Sequence, residues 1–286
     1  MNIARLWICV EGKKRKRMNK LIFQSLASGS SGNCYYIGTI NRGLLIDAGI
    51  SARTIKRRLE AIGVTLDSLW GILITHDHAD HVRGVGTLAE RYQIPVYTTQ
   101  MVHMGMDRNY GLTPKVGAAN RRFIEKMKQF DIADFKVMAF PVPHDSTDCV
   151  GYAVEYNGVR FCIATDVGEA TQLIQEQIAM ADYLVIEANH DKLLLARGPY
   201  PQRLKDRIAS PRGHLSNDNC ANLLAKNLSS RLKHVYLCHL SKENNQPNVA
   251  YNTVREILMN NGIEVGKHLQ LTVLDRTSAS KVYELL

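Results

Sequence analysis

Trp70-Gly71-Ile72-Leu73-Ile74-Thr75-His76-Asp77-His78-Ala79-Asp80-His81 is the stretch that decides the reading of this chain. Its first half is a short apolar run of the kind that forms a buried strand. That run passes without a turn residue into three histidines and two aspartates. His76 and His78 stand two positions apart, so on an extended segment they face the same side and can share one ion. Asp80 and His81 follow once the chain turns and can face a second position. All these donors are imidazole or carboxylate, with no thiolate, a set that suits Zn²⁺, Mn²⁺ or Fe²⁺. In a chain with this many His and Asp residues the pattern arises by chance roughly 6 times in 10,000. A merely solvated polar loop would also have to explain the buried strand in front of it.

Outward from this segment, strand-length apolar runs alternate with amphipathic segments of helix length. Residues 21–27, 34–38 and 43–49 read as strands separated by Gly, Ser and Asn turns. Ser51 opens a helix carrying Ile55, Leu59 and Ile62, and Gly63 ends it. After the histidine segment a helix runs to about Tyr92, and Pro95 opens another strand. Residues 100–130, rich in Met, Lys and Arg, read as two short helices with a loop between them. A strand at 135–140 precedes a hairpin turning at Asn157-Gly158, the pair that suits a type I′ turn. Helices at 169–180, 200–209, 216–228 and 247–261, and strands beginning at Asp182, Lys233 and Leu269, complete the chain. Two successive rounds of strands before helices predict an α/β fold in which sheet packs on sheet with helices outside. The expectation is a four-layer αββα sandwich, one domain over residues 18–286.

The composition fits a soluble globular chain, at 45% hydrophobic and 22% charged. No apolar run reaches the ~18 residues needed to cross a bilayer. The formal net charge is +9. More than half of it comes from residues 1–17, where Arg5, Lys13, Lys14, Arg15, Lys16 and Arg17 face the single acid Glu11. This segment is expected to be a disordered basic extension, or upstream sequence ahead of a start at Met18. It lacks the order of charge, apolar core and small-residue site of a signal peptide. None of the 6 cysteines forms a CxxC pair, so a zinc ribbon or thioredoxin-like site is not expected; with no signal peptide expected, a reducing cytoplasm is the expected compartment. No membrane partner is expected, and the oligomeric state is open.

A bound ion needs more donors than one loop supplies. His144 ends the apolar strand before it in FPVPHD, Asp166 ends FCIATD, and His239 ends VYLCHL. Each repeats the context of the first loop, a polar residue at the tip of a strand, which is where α/β proteins place chemistry. With LLIDAG, THDHADH, VPHD, ATDVG and CHLS in this order, the chain resembles the metallo-β-lactamase superfamily from about residue 21 to its end. The resemblance implies two divalent metal ions, zinc or manganese, with iron also compatible. His76, His78 and His144 would hold one ion; Asp80, His81 and His239 would hold the other; Asp166 would bridge them. Asp47 would orient the metal loop, where the residues alone allow a simple turn before Gly49.

Within that superfamily, an export signal and a long C-terminal helical domain are not expected here, and the spacings from Asp166 to His239 and from His144 to Asp166 are too short for an inserted domain or a flexible arm. LASGSSGNCYYI, EANHD, GPYP and RGHLSN resemble the compact YycJ (WalJ)-like branch. That resemblance implies a phosphodiesterase acting on DNA as a 5′→3′ exonuclease on duplexes, with a metal-bridging hydroxide attacking phosphorus. Asp80 would orient the water or take its proton, and His214 would stabilise the phosphate or protonate the leaving oxygen. Substrate contacts are expected from Ser30, Ser31 and Asn33 (with Ser28 in the same Gly-spaced loop), and from Asn189, His190 and Ser216. The loop at 28–33 has an equal reading as a tight turn. Arg83, Arg121, Arg122, Lys126, Lys128, Arg203, Lys205, Arg207 and Arg212 are candidates for the DNA backbone. His103, His234 and His268 have no such context. The rival readings are a hydrolase of a small or cyclic phosphoester, a thioester or a lactone on the same fold, and a metal-containing scaffold with no activity.

Overall fold

The computed structural model describes residues 20–286, so the expected extension at 1–17 lies outside the described residues. The first half of the chain contains β1 (Leu21–Gly29), β2 (Gly32–Thr39), β3 (Arg42–Ile46), α1 (Ala52–Glu60), β4 (Leu69–Leu73), α2 (Ala79–Val82), α3 (Val85–Tyr92), β5 (Val96–Thr98), α4 (Gln100–Arg108) and β6 (Arg121–Phe123). The second half contains β7 (Gln129–Ile132), β8 (Phe135–Pro141), β9 (Val150–Tyr156), β10 (Val159–Ala164), α5 (Gln172–Ala179), β11 (Tyr183–Glu187), α6 (Lys192–Arg197), α7 (Gln202–Ile208), α8 (Asn217–Asn227), β12 (His234–Cys238), α9 (Pro247–Asn260) and β13 (Gln270–Val273). Finally β14 (Tyr283–Leu285) crosses back to pair with β1. The strands form two seven-stranded sheets, β14-β1-β2-β3-β4-β5-β6 and β13-β12-β11-β10-β9-β8-β7.

Both faces of the central strands are apolar, so each sheet must be covered twice. Three cores do this. Phe23, Tyr35, Leu44 and Ile46 of the first sheet meet Val137, Phe161, Val185 and Tyr236 of the second. The alternate residues Leu45, Ile72 and Ile74 pack outward on Ile55, Leu59, Val85 and Leu88. On the far side Leu184, Ile186 and Leu237 pack on Ile174, Ile178, Leu224 and Val254. Each such side chain contributes about 1.5–3 kcal/mol when fully buried. The result is the expected αββα order of layers.

Four details differ from the sequence expectation. Residues 100–130 hold one helix, α4, and then the edge strands β6 and β7 in place of a second helix. Both strands are short and half exposed, so pairing with a neighbour, and no apolar pattern, makes them strands. The helix expected to run to Tyr92 is broken into α2 and α3 at Gly84, where a Cβ would lie 2.4 Å from the Ile50 carbonyl oxygen. Helix α6 and strand β14 carry no legible period at their lengths.

Strands β3, β4 and β5 run parallel. In the other sheet β8 and β10 are each antiparallel to β9, and β10, β11 and β12 are mutually parallel. The carboxyl ends of β8, β10, β11 and β12 therefore point one way, and the loops that leave them hold the polar residues of interest.

Candidate metal centre

Asp47, one residue beyond β3, is where the site begins. Its backbone turns into the left-handed region (φ 58°), and its N–H donates to the Leu73 carbonyl at 2.8 Å. The carboxylate is fully buried. It accepts from the Thr75 backbone N–H at 2.9 Å and from the Thr75 hydroxyl, and it accepts from His81 Nδ1 at 2.7 Å. The Thr75 hydroxyl also lies 3.0 Å from His76 Nδ1. One buried carboxylate thus fixes the ring orientation of two histidines, leaving their Nε2 atoms for the centre of the site. Gly49 lets the loop close, since a Cβ there would fall 1.6 Å from the Asp80 carbonyl oxygen.

The remaining donors arrive from the second sheet. His144 donates from Nδ1 to the Gly213 carbonyl at 3.1 Å, and its Nε2 lies 3.3 Å from His78 Nδ1 and 3.6 Å from Asp166 Oδ1. Asp166 and His239 also adopt left-handed backbone (φ 55° each) at the tips of β10 and β12. Strand register sets them side by side, because Ala164 pairs with Ile186 and Glu187 pairs with Cys238. Asp166 Oδ2 is 3.2 Å from His81 Nε2, and Oδ1 is 3.4 Å from His239 Nδ1. His239 Nε2 is 3.4 Å from Asp80 Oδ2.

The structure therefore gathers all seven expected ligands. His76, His78 and His144 form one set; Asp80, His81 and His239 form another; His76, His81 and Asp166 lie between them, with the donor atoms of each set within 4.8 Å of one another. The chemistry of these atoms fits a cation. His76 Nε2 is buried with no hydrogen-bond partner among the described residues. Burial holds its pKa well below the usual histidine range, so it is a neutral imidazole with a free lone pair. Burial alone would lower the His239 pKa as well, but Asp166, with Asp80 and Glu187, pushes it up to about 10. The proton held there marks excess negative charge that a divalent cation would neutralise.

Glu187, at the end of β11, is a site residue that sequence reasoning missed. It is fully buried and accepts four hydrogen bonds. Oε2 takes the backbone N–H groups of Val167 and Leu215 at 2.9 Å each. Oε1 takes His214 Nδ1 and His239 Nδ1 at 2.8 Å each. Burial would raise its pKa, but His214 and His239 bring it down to about 2. The signal in the sequence was a lone glutamate closing an otherwise apolar strand. Asp77 was likewise unremarked; it holds the Thr147 hydroxyl at 2.6 Å and so ties the histidine loop to the loop of His144.

The expected substrate residues divide. Asn33 is buried, with Nδ2 3.0 Å from His81 Nε2 and 3.4 Å from Asp80 Oδ2. Ser28 is buried too, receiving the His239 backbone N–H, while Ser30 and Ser31 are exposed at the β1–β2 turn. Asn189 faces the protein interior and donates to the His239 carbonyl at 2.9 Å. His190 and Ser216 are buried beside His214, and the Ser216 hydroxyl caps α8 by accepting from Asn219 N–H. His214 Nδ1 lies on Glu187, with its ring 5.1 Å from that of His144 and 5.4 Å from that of His239. Of the basic residues, Arg212 donates to the His144 carbonyl and Arg207 pairs with Asp145, whereas Arg121 and Lys126 are paired with Asp107 and Asp148. His103, His234 and His268 bond to Arg122, Thr272 and Glu264, outside the cluster.

A sandwich of two mixed sheets flanked by helices, carrying this His/Asp cluster at its strand ends, is the metallo-β-lactamase fold. The family model described as the beta-lactamase superfamily domain matches residues 42–239, and the chain belongs to that superfamily. The expectation of a metal-dependent hydrolase holds with it. The chain is 34% identical over 263 residues to the protein named exodeoxyribonuclease YycJ of Bacillus anthracis, covering 92% of this chain and 98% of that one. It is 35% identical over 263 residues to the protein named exodeoxyribonuclease WalJ of Streptococcus pneumoniae, covering 92% and 97%. The metallo-beta-lactamase fold protein YhfI from Bacillus subtilis superposes with a TM-score of 0.65 at 13% identity, covering 92% of this chain and 99% of that one. Among the described residues no helix is long and apolar enough to cross a membrane.

Proposed function

We propose that this protein is a phosphodiesterase with two divalent cations, zinc or manganese, and that its substrate is DNA, which it degrades as an exonuclease. The single observation that carries the reading is the pair of donor sets meeting at Asp166, with His214 beside them. Its relatives named exodeoxyribonucleases, aligned over nearly their whole length, support DNA as the substrate. Duplex preference and 5′→3′ polarity, with a cytoplasmic location, belong to the same proposal.

Bound cations supply a water activated near neutral pH and charge compensation for the phosphodiester. The protein's own groups do the rest. Asp80 is the most solvent-accessible carboxylate of the ligand sets, at 23%, so it is placed to orient the attacking water and accept its proton. His214 is held by two carboxylates. Burial alone would lower its pKa, but Glu187 and Asp166 raise it above the usual value. With Nδ1 on Glu187, its Nε2 is the atom left to bond the phosphate or protonate the leaving oxygen. The buried walls exclude bulk water and keep these charges strong.

The test is turnover of duplex DNA, RNA, bis(p-nitrophenyl) phosphate and a thioester by protein loaded with Mn²⁺ or Zn²⁺, with metal content measured on the same samples. Stepwise release of mononucleotides from DNA ends is expected. Thioester cleavage without any phosphodiester cleavage would overturn the reading.

A further inference from the structure

Asn33 stands near the start of β2, and its side chain is fully buried. A residue that only closed the β1–β2 turn would need a single bond, and the amide nitrogen makes it to the Gly29 carbonyl at 3.2 Å. The same nitrogen also lies 3.0 Å from His81 Nε2 and 3.4 Å from Asp80 Oδ2. The amide oxygen is fixed from the other side, accepting from the Tyr35 hydroxyl at 3.2 Å. Tyr35 has one O–H to give, so in its 2.8 Å bond with Ser28 the serine is the donor. Ser28 Oγ in turn accepts the His239 backbone N–H at 3.2 Å. Tyr35 and Ser28 are as fully buried as Asn33.

The hydrogen bonds therefore run in one direction, from the His239 backbone through Ser28 and Tyr35 to Asn33, and end at Asp80 and His81. His239, Asp80 and His81 are the set expected to hold the second cation. Among the described residues, none of the three linking side chains bonds to His76, His78 or His144. The direction decides what the amide presents. Flipped, it would set its oxygen against the Asp80 carboxylate; with the oxygen pinned by Tyr35, it offers N–H instead. A cation on His81 Nε2 takes the lone pair there, so the acceptor left to that N–H is Asp80 Oδ2. Asp80 is the most accessible carboxylate of the ligand sets, at 23%, and so the one whose orientation burial fixes least. Partners of this kind orient ligands and tune the affinity for the metal.

We propose that Asn33, its amide held in one orientation by Tyr35 and Ser28, is a positioning residue for the second cation, acting through Asp80 and not on the substrate. The proposal rests on the two-cation reading above. It gives the buried part of the Gly-spaced loop a role in holding one cation of the pair and leaves the other to the remaining donors.

The experiment measures Zn²⁺ binding to the full chain by competition with a chromophoric chelator, in wild type, Asn33→Ala, Tyr35→Phe and Asp80→Ala. Asp80→Ala marks which of the two binding events belongs to the second set. Tyr35→Phe keeps the buried ring and alters no group that touches Asp80 or His81, so it reports even if Asn33→Ala does not fold. Both Asn33→Ala and Tyr35→Phe are expected to raise the Kd of the marked event about tenfold and to leave the other within about twofold. A residue that only closes the turn would lower thermal stability without separating the two constants. Equal shifts in both constants, or no shift in either, therefore overturn the proposal. If wild type takes up a single equivalent of Zn²⁺, the two-cation reading has failed separately. Asn33 is then judged on that one event: its role stands if Tyr35→Phe and Asp80→Ala both weaken it about tenfold or more, and falls if Tyr35→Phe leaves it unchanged.

Discussion

Replacing Glu187 by glutamine removes one charge and almost no volume, and the structure says what that does. The carboxylate receives two backbone N–H groups on one oxygen and two histidine N–H groups on the other. A glutamine amide has one accepting oxygen and one donating NH₂. Whichever way it turns, two of the four donors face another donor. Each buried donor left unpaired costs about 1–3 kcal/mol, so the pair costs about 2–6 kcal/mol. For a protein of this size that lowers Tm by at least about 4 °C. The penalty depends on pH in a defined direction. The Glu187 pKa in the fold is depressed to about 2 from an ordinary value of 4.5. Its stabilising effect is therefore fully present above pH 4.5 and is lost as pH falls toward 2. Wild type should lose stability across that window, and Glu187→Gln should lose less. Function suffers where the amide nitrogen turns toward His239 and His214, which then lose the acceptor that fixes their tautomers; loss of such a partner typically costs about 10–100-fold in metal affinity or activity. Thermal unfolding at pH 7 and pH 3, metal content and turnover on bis(p-nitrophenyl) phosphate check all three effects. A variant with wild-type Tm and activity within threefold of wild type at pH 7 would refute the role assigned to Glu187.

Four further outcomes are expected. His78→Ala and Asp166→Ala should abolish phosphodiester hydrolysis while the circular dichroism spectrum stays that of the folded chain; full activity in either variant removes that residue from the metal set. Asp47→Asn should weaken metal retention by about 10–100-fold, with activity restored by excess metal, because it disturbs His81 and, through Thr75, His76; a loss that excess metal does not restore would point to misfolding. DNA binding should weaken steeply between 50 and 200 mM salt, as phosphate contacts require, and a flat response in an equilibrium titration would argue for a small substrate. Compared in the absence of metal, His239→Gly should be more stable than His239→Ala to urea by about 1 kcal/mol, since only alanine is strained at φ 55°; equal midpoints would show that no strain is stored there.

The expected ligands were readable because their loops follow apolar strands. A histidine or aspartate at the tip of FPVP, FCIA or VYLC breaks the pattern that precedes it, and the break is visible one residue at a time. The layers were readable for the same reason, since alternate residues of β3, Leu44 and Leu45, serve different cores. What could not be read depends on contacts between distant segments. Glu187 looks like the end of a strand until the fold sets His214 and His239 against it. Asn189 reads as a cleft residue, but strand pairing turns it toward the His239 carbonyl. β6 and β7 become strands only because β5 and β8 have free edges to pair with.

The two halves of the sandwich share the expected donors between them. His76, His78, Asp80 and His81 hang from the first sheet, and His144, Asp166 and His239 from the second. The two groups expected to hold cations, His76 with His78 and His144, and Asp80 with His81 and His239, each draw on both halves. Three of the residues that shape the site, Asp47, Asp166 and His239, hold left-handed backbone that costs about 1–3 kcal/mol each. At the carboxyl tip of a strand such a turn stops the side chain from continuing over the sheet and throws it across the end of the sandwich toward the other half. The strain and the crossing geometry are thus one feature. A cation held there ties the sheets together, and by mass action it stabilises the fold by about 2.7 kcal/mol when present at a hundred times its dissociation constant. That gain is of the size of one strained turn. Metal binding and closure of the sandwich are therefore linked, and loss of one loop's donors is felt as lost stability in both halves.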